Sequence, residues 1–346
     1  QHGVMGTKNM VANYGKNAPG FDTDIFLVSS DFEKEMIVND FGYSPKDVFV
    51  TGLSRFDSLF ADDVQKKRQI LIIPTWRDWI ITDEIFLESE YFQRYKELIH
   101  SKRLTELSKK YDFQILFCLH PNMQKFSKYF EHPTIKVIHQ GEVDVQHLIK
   151  ESSLMITDYS SVGFDFSFLY KPVLYYQFDR SLFIGKRPSH LDLDNDLPGE
   201  IRFEKDDLLQ LVEEYAKDNF NMKPAYKERA DKFIKYRDRS SSERIYNVIQ
   251  NYKSRKIIRN QNVTLLAKGL FTKFRKSKYY FPTMKLFYKI GSRIIPVDKN
   301  LILFESGLGK QYGDSPRNIY EEILRQGLDY KKVWVYNKNF RFNDPN

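Results

Sequence analysis

Between residues 24 and 252, short runs of apolar residues alternate with longer stretches that are apolar on one side only. The runs at 25–28, 48–51, 70–74, 113–119, 135–138, 154–157 and 173–176 are near-continuous in Val, Ile, Leu and Phe, the pattern of strands covered on both faces. Between them, 31–39, 88–110, 122–129, 145–151 and 162–170 carry apolar residues at helical spacing. Strands alternating repeatedly with helices predict an α/β fold, a Rossmann-like parallel sheet with helices on both faces. After Pro198-Gly199, helices at 208–216, 225–236 and 242–252 close that domain. A new strand at 301–306, a helix at 318–326 and a strand at 332–336 open a second unit that is too small to bury a core by itself. The predicted organisation is therefore a domain over 1–252, a linker over 253–299 and the start of a second Rossmann-like module over 300–346.

Charge sharpens this division. The 346 residues carry a net +8, yet 251–299 holds thirteen Lys and Arg against Asp298 alone, a net of +12 that leaves −4 for the rest. Leu265, Leu266, Leu270, Phe271 and Phe274 interleave with Lys268 and Lys273, and Arg275, Lys276 and Lys278 follow. The pattern fits an amphipathic helix lying on an anionic bilayer surface. A nucleic-acid groove also mixes aromatics with cations, and a solvated linker is the plain alternative. The membrane surface is the expectation taken here, with no nucleic acid as partner. No run reaches the roughly 18 apolar residues of a membrane span. Cys118, the sole cysteine, lies in an apolar strand and reads as a buried thiol in a reducing compartment. The chain opens on Gln1-His2-Gly3 without an initiator Met, as a fragment of a longer protein does.

Candidate chemistry collects where strands end, the place at which open α/β sheets hold their ligands. Ile156-Thr157-Asp158-Tyr159-Ser160-Ser161 passes from a strand into a helix, where free N–H groups and hydroxyls suit phosphate oxygens. Asp158 could instead take a ribose hydroxyl or hold a neighbour. Thr75, Trp76 and Arg77 follow the strand at 70–74, His120-Pro121 follows 113–119, and Arg55 and Asp57 follow 48–51. His120 could take a proton, and Arg77 or Arg55 could neutralise phosphate charge. For His120 a helix cap or a buried, packed ring is the structural alternative. His132, His139 and His147 lack the spacing of a metal site, and no metal is expected. Neither a dinucleotide fingerprint nor a phosphate-binding loop ending in Lys-Ser/Thr is present.

The ordered series of these pieces resembles the CDP-glycerol:poly(glycerophosphate) glycerophosphotransferase family, the teichoic-acid polymerases and primases of Gram-positive bacteria. It runs Gln1-His2-Gly3, Val50-Thr51-Gly52-Leu53-Ser54-Arg55-Phe56-Asp57-Ser58-Leu59, Ile73-Pro74-Thr75-Trp76-Arg77, Leu119-His120-Pro121 and Ile156 through Asp165, then Lys171-Pro172-Val173, Phe178-Asp179 and Leu197-Pro198-Gly199. The resemblance covers about residues 1–250. It implies a GT-B fold, of which 1–252 would be the C-terminal, nucleotide-binding half. It further implies His2 and His120 as the catalytic pair, with Arg77, Thr157, Asp158, Ser160 and Ser161 facing the donor's phosphates and Arg55 and Asp57 in support.

The implied reaction moves glycerol phosphate, or another polyol phosphate, from a CDP-polyol to a lipid-linked polyol-phosphate acceptor, with CMP released and no cofactor. CDP-glycerol and CDP-ribitol both remain open as donors, as does the choice of histidine for the base. The implied location is peripheral, at the cytoplasmic face of the cell membrane. Two departures stand out. His2-Gly3-Val4-Met5 replaces the family's frequent His-Gly-Thr-Pro, and residues 300–317 resemble the opening of a further catalytic module. A nucleotide-sugar-dependent glycosyltransferase of the same fold and a catalytically incomplete membrane scaffold are the rival readings.

Overall fold

The computed structural model describes residues 3–18, 21, 23–139, 142–186, 188–252, 274–294, 298–305 and 314–336. The chain divides into two compact units, Gln1–Arg255 and Lys256–Asn346.

The first unit is built on a six-stranded sheet. Its strands, counted along the whole chain after β1 (Phe26–Val28) and β2 (Val48–Val50), are β3 (Gln69–Ile72), β4 (Gln114–Cys118), β5 (Lys136–Ile138), β6 (Leu154–Thr157), β7 (Val173–Tyr176) and β8 (Glu200–Arg202). They lie in the order β5-β4-β3-β6-β7-β8, with every neighbouring pair parallel. Side chains alternate across the sheet, as strand geometry requires. Ile70, Ile72, Phe117, Leu154 and Ile156 enter one core, while Leu71, Leu116, Met155, Val173 and Tyr175 enter the other. That double burial is why the strands read as unbroken apolar runs. β1 and β2 pair in parallel as a separate sheet over a third core that includes Met36, Ile37, Phe41 and Tyr43.

The chain builds outward from β3 to β4 and β5, then returns to the other side of β3 as β6 and continues to β7 and β8. The crevice between the ends of β3 and β6 is thus the topological switch point, where this architecture holds ligands.

Several elements differ from the sequence expectation for identifiable reasons. The helix expected over 88–110 is broken into Glu90–Ile99 and Lys102–Tyr111, after a short helix Asp83–Glu88. Ser89 and Ser101 each accept a hydrogen bond from a backbone N–H three residues on, so each starts a new helix. Asp112, at φ 49°, ends the second. The expected helix over 122–129 is a 3-10 helix, Pro121–Phe130. The helix expected over 225–236 is Pro224–Lys232. β8, only three residues long, was not foreseen. Lys171 donates to the carbonyls of Ile149, Lys150 and Ser152 and so closes the end of the helix Val145–Glu151. Cys118 is buried, and burial pushes its thiol up to about 11.

In the second unit β9 (Leu301–Phe304) and β10 (Lys331–Trp334) pair in parallel, with the helix Asp314–Arg325 between them. A separate helix spans Tyr280–Ile294. The amphipathic helix expected over 263–274 lies outside the described residues but for Phe274.

Candidate active site

The loops leaving β3 and β6 are tied together beneath the switch point. Thr157 donates its hydroxyl to the carbonyl of Ile73 at 2.6 Å. Asp158 accepts the backbone N–H groups of Thr75 at 2.8 Å and Tyr159 at 2.6 Å on one oxygen. Its other oxygen accepts Arg77 Nη2 at 2.8 Å and the Tyr95 hydroxyl at 3.1 Å. Arg77 forks onto Asp179 at 2.7 and 3.0 Å and donates Nη1 to the Thr75 carbonyl at 2.6 Å. The Tyr159 hydroxyl completes the cluster on Asp179 at 3.1 Å.

Arg77 and Asp158 have no exposed side-chain surface. Burial works against the Arg77 charge, but Asp158 and Asp179 more than offset it and hold the guanidinium protonated. Phe183 lies 4.7 Å and Tyr159 5.2 Å from the same guanidinium carbon, so its faces are covered by rings. Three of the expected phosphate-facing residues lie in this cluster, and Asp158 holds its neighbours, the alternative its sequence position also allows. Arg77, Thr157 and Asp158 turn their polar atoms inward to protein partners and do not line the neighbouring cleft. Their spacing suggested phosphate contacts because sequence gives proximity to a strand end, not the direction of a side chain.

Above this cluster opens a cleft of about 600 Å³, lined by the loop from Gly3 to Lys8, by Thr75 and Trp76, by His120, and by Tyr159, Ser160 and Ser161. Of the expected phosphate-facing residues, Ser160 and Ser161 are the ones that reach it. The Ser160 hydroxyl oxygen accepts the Val162 N–H at 3.3 Å, and Ser161 precedes the helix Val162–Phe168 without a side-chain cap bond. A Cβ on Gly3 would come within 2.6 Å of Ser161 Oγ, so only glycine lets the first loop approach this closely. The buried carboxylate of Glu33 fixes that loop from behind, accepting Met5 N–H at 2.8 Å.

His120, half-buried, accepts the Asn122 N–H on Nδ1 at 3.2 Å and stacks on the Trp76 indole with centroids 5.9 Å apart. Burial, and then the charge of Lys8, lower its pKa below the usual imidazole value. With Nδ1 accepting, the neutral ring carries its proton on Nε2. Sequence reasoning did not single out Lys8; a lone lysine in a loop has no spacing signal, and only the fold brings its charge to bear on His120.

The supporting residues are placed differently. Arg55 forms a forked pair with Asp165 at 2.8 and 2.7 Å. Asp57 accepts the N–H groups of Ser241 and Ser242 at 2.7 and 2.9 Å, which makes it a tether for the helix Ser241–Asn251 and not a ligand to the cleft. His2 lies outside the described residues, as do Lys268 and Lys273, whereas Arg275, Lys276 and Lys278 are exposed. His132 accepts the N–H groups of Thr134 and Ile135, His139 bonds Ser127, and His147 lies 3.5 Å from Glu151. Among the described residues no group of three or more His, Cys, Asp or Glu is placed to hold a metal ion, and no helix is long and apolar enough to cross a membrane.

Comparison with known proteins gives a consistent family. Minor teichoic acid biosynthesis protein GgaB of Bacillus subtilis (strain 168) is 30% identical over 271 residues, which cover 74% of this chain and 29% of that protein. The teichoic acid glycerol-phosphate primase of the same organism is 28% identical over 240 residues, covering 66% and 58%. The chain thus spans less than two thirds of the length of either relative. Among solved structures, the wall teichoic acid polymerase TagF matches with a TM-score of 0.53 and 20% identity over 72% of this chain and 66% of that one, a likeness of fold that makes the first unit GT-B-like. The sequence profile of CDP-Glycerol:Poly(glycerophosphate) glycerophosphotransferase matches residues 4–251 and 286–345, and the chain belongs to that family.

Proposed function

We propose that the cleft binds a CDP-polyol and that the complete protein transfers its polyol phosphate to a lipid-linked polyol-phosphate acceptor, with release of CMP, in teichoic acid or related cell-surface polymer synthesis. The observation that carries this reading is the convergence of His120, Lys8, Ser160 and Ser161 on one cleft at the switch point. Family membership supports the same donor class.

In the proposed step an acceptor hydroxyl attacks the polyol-bearing phosphorus. A new P–O bond forms there while the bond to the bridging oxygen breaks, and CMP leaves with that electron pair. The neutral His120 tautomer presents Nε2–H, so His120 donates to a phosphate oxygen, and Lys8 adds a positive charge as negative charge builds. The hydroxyl proton is assigned to His2, the other histidine of the family pair. Ser160 and Ser161 supply further hydroxyl donors to the same cleft.

The second unit is proposed as the opening of a further module, joined through the basic segment. That segment is proposed to rest on an anionic membrane surface at the cytoplasmic side, where a lipid-linked acceptor would lie. Support comes from the helix Tyr280–Ile294, which leaves Phe281, Leu286, Phe287 and Tyr288 exposed close after Arg275, Lys276 and Lys278.

Turnover of CDP-glycerol and CDP-ribitol by the complete protein, followed by CMP release, tests the main reading. Transfer of a sugar from a nucleotide sugar would favour the rival glycosyltransferase, and binding without turnover would favour the scaffold. For the membrane, flotation is expected with anionic vesicles, much less with neutral ones, and less again when salt is added. Equal recovery with both vesicle types would remove the electrostatic part.

A further inference from the structure

Arg77 is the one cationic side chain of the expected phosphate group that the structure seals away, and the way it is sealed gives it a different task. Its guanidinium makes four hydrogen bonds, two to Asp179, one to Asp158 and one to the Thr75 carbonyl. Thr75 belongs to the loop after β3, Asp158 to the loop after β6, and Asp179 to the loop after β7. Asp158 repeats the bridge by accepting the N–H of Thr75 and that of Tyr159, and Tyr159 N–H also points at Thr75 Oγ1 at 3.3 Å. Trp76 follows Thr75 directly, and its ring carries the stack against His120. Ser160 and Ser161 follow Tyr159. The residues that line the cleft are thus the next links in the chain on either side of the cluster, and neither loop can shift without breaking buried, charge-assisted bonds.

We propose that Arg77, clamped between Asp158 and Asp179, is a positioning residue for the transfer reaction: it locks the loops after β3 and β6 in register, so that Trp76 holds the His120 ring in the cleft that Ser160 and Ser161 also line. The inference rests on the reading of this cleft as the donor site. It assigns no substrate contact to Arg77. Lysine cannot replace it, since a single ammonium point charge cannot fork onto Asp179 while also reaching Asp158 and Thr75.

The test uses the complete protein with Trp79→Phe and Trp334→Phe, leaving Trp76 as the reporter of the three tryptophans in this sequence, with any tryptophan elsewhere in the parent also changed to Phe. Arg77→Lys and Asp179→Asn are compared with this parent for far-ultraviolet circular dichroism, acrylamide quenching of Trp76 fluorescence, donor affinity and kcat. In folded variants the quenching constant should rise at least twofold, because the indole is no longer held on His120, and kcat should fall roughly 10- to 100-fold from misplacement alone. Should Arg77→Lys not fold, Asp179→Asn decides, since it keeps the shape of the side chain but removes its charge and one of the two oxygens that accept the Arg77 fork.

Unchanged Trp76 quenching in a folded variant overturns the proposal, whether or not affinity for the donor falls; a loss of affinity without loosening would mean direct contact. A parent protein that turns over no CDP-polyol would defeat the reading of the reaction, while the quenching comparison still decides whether Arg77 fixes the loops.

Discussion

Two layers of the same switch point use similar residues to opposite ends. In the lower layer Arg77, Asp158, Asp179, Tyr95 and Tyr159 are buried and hydrogen-bond one another, so their polar groups find partners inside the protein. In the upper layer Lys8, His120, Ser160 and Ser161 line an open cleft and offer polar groups to it. A guanidinium and an ammonium that look interchangeable in a sequence therefore have different work. The lower one fixes geometry, and the upper one supplies charge where a ligand would sit. Variants in the lower layer should show first in stability, and variants in the upper layer first in activity.

The largest effect expected is on Arg77→Ala. It leaves Asp158 and Asp179 facing each other without a cation in a buried site, and breaking such a pair costs about 3–5 kcal/mol. Urea denaturation of the complete protein should show this as a fall in midpoint with the slope unchanged. A loss below about 1 kcal/mol, the level of an exposed ion pair, would mean that the lower layer is not sealed.

His120→Ala should invert that profile. Its Nδ1 caps the helix Pro121–Phe130, so stability should fall by about 1 kcal/mol. Turnover should fall at least ~100-fold, the low end for a group that moves or shares a proton. The pH dependence sharpens the point. Burial and Lys8 lower the His120 pKa, so the neutral, Nε2–H form persists to more acidic pH than in a free imidazole. Protonation at Nδ1 would break the bond from Asn122 N–H that orients the ring, so the acid limb of the kcat/KM profile should lie below the ordinary histidine value of about 6.5, and Lys8→Gln should move it upward. A limb that ignores Lys8 would place their charges too far apart to interact.

The sheet was legible because its strands are covered on both faces, which leaves runs such as Ile70-Leu71-Ile72 without a polar interruption. The position of the site was legible for a related reason: polar residues at the ends of β3, β4 and β6 have little to do in a core. Direction was not. Arg77 and Asp179 are 102 residues apart in sequence, and nothing local to Trp76-Arg77 shows that one side chain turns up to the cleft and the other down. The break in the helix after Ile99 was hidden too, because the apolar period runs through it while one hydroxyl, Ser101, restarts the backbone. Lys8 carried no pattern at all.

Arg55, intermediate in exposure between the two layers, gives the smallest and most discriminating comparison. Its fork onto Asp165 resembles that of Arg77 onto Asp179, but 29% of the Arg55 side chain is exposed against 8% of Asp165. Burial raises the Asp165 pKa above its ordinary 3.8, and Arg55 pulls it back down. A carboxyl whose folded pKa is raised adds most stability when protonated; that contribution is lost as pH rises from the unfolded value through the folded one. Removing Arg55 lifts the folded value further, so the loss in Arg55→Ala is full at neutral pH and shrinks on acidification. At pH 7 it should be about 1–3 kcal/mol, the cost of a buried acceptor without its partner, and smaller at an acidic pH where Asp165 takes up a proton. Denaturation curves at the two pH values provide the measurement. A deficit that stays constant would assign the effect to packing, since the Arg55 guanidinium also lies 5.1 Å from the Phe56 ring, and a kcat that falls well beyond the stability loss would move Arg55 into the upper layer.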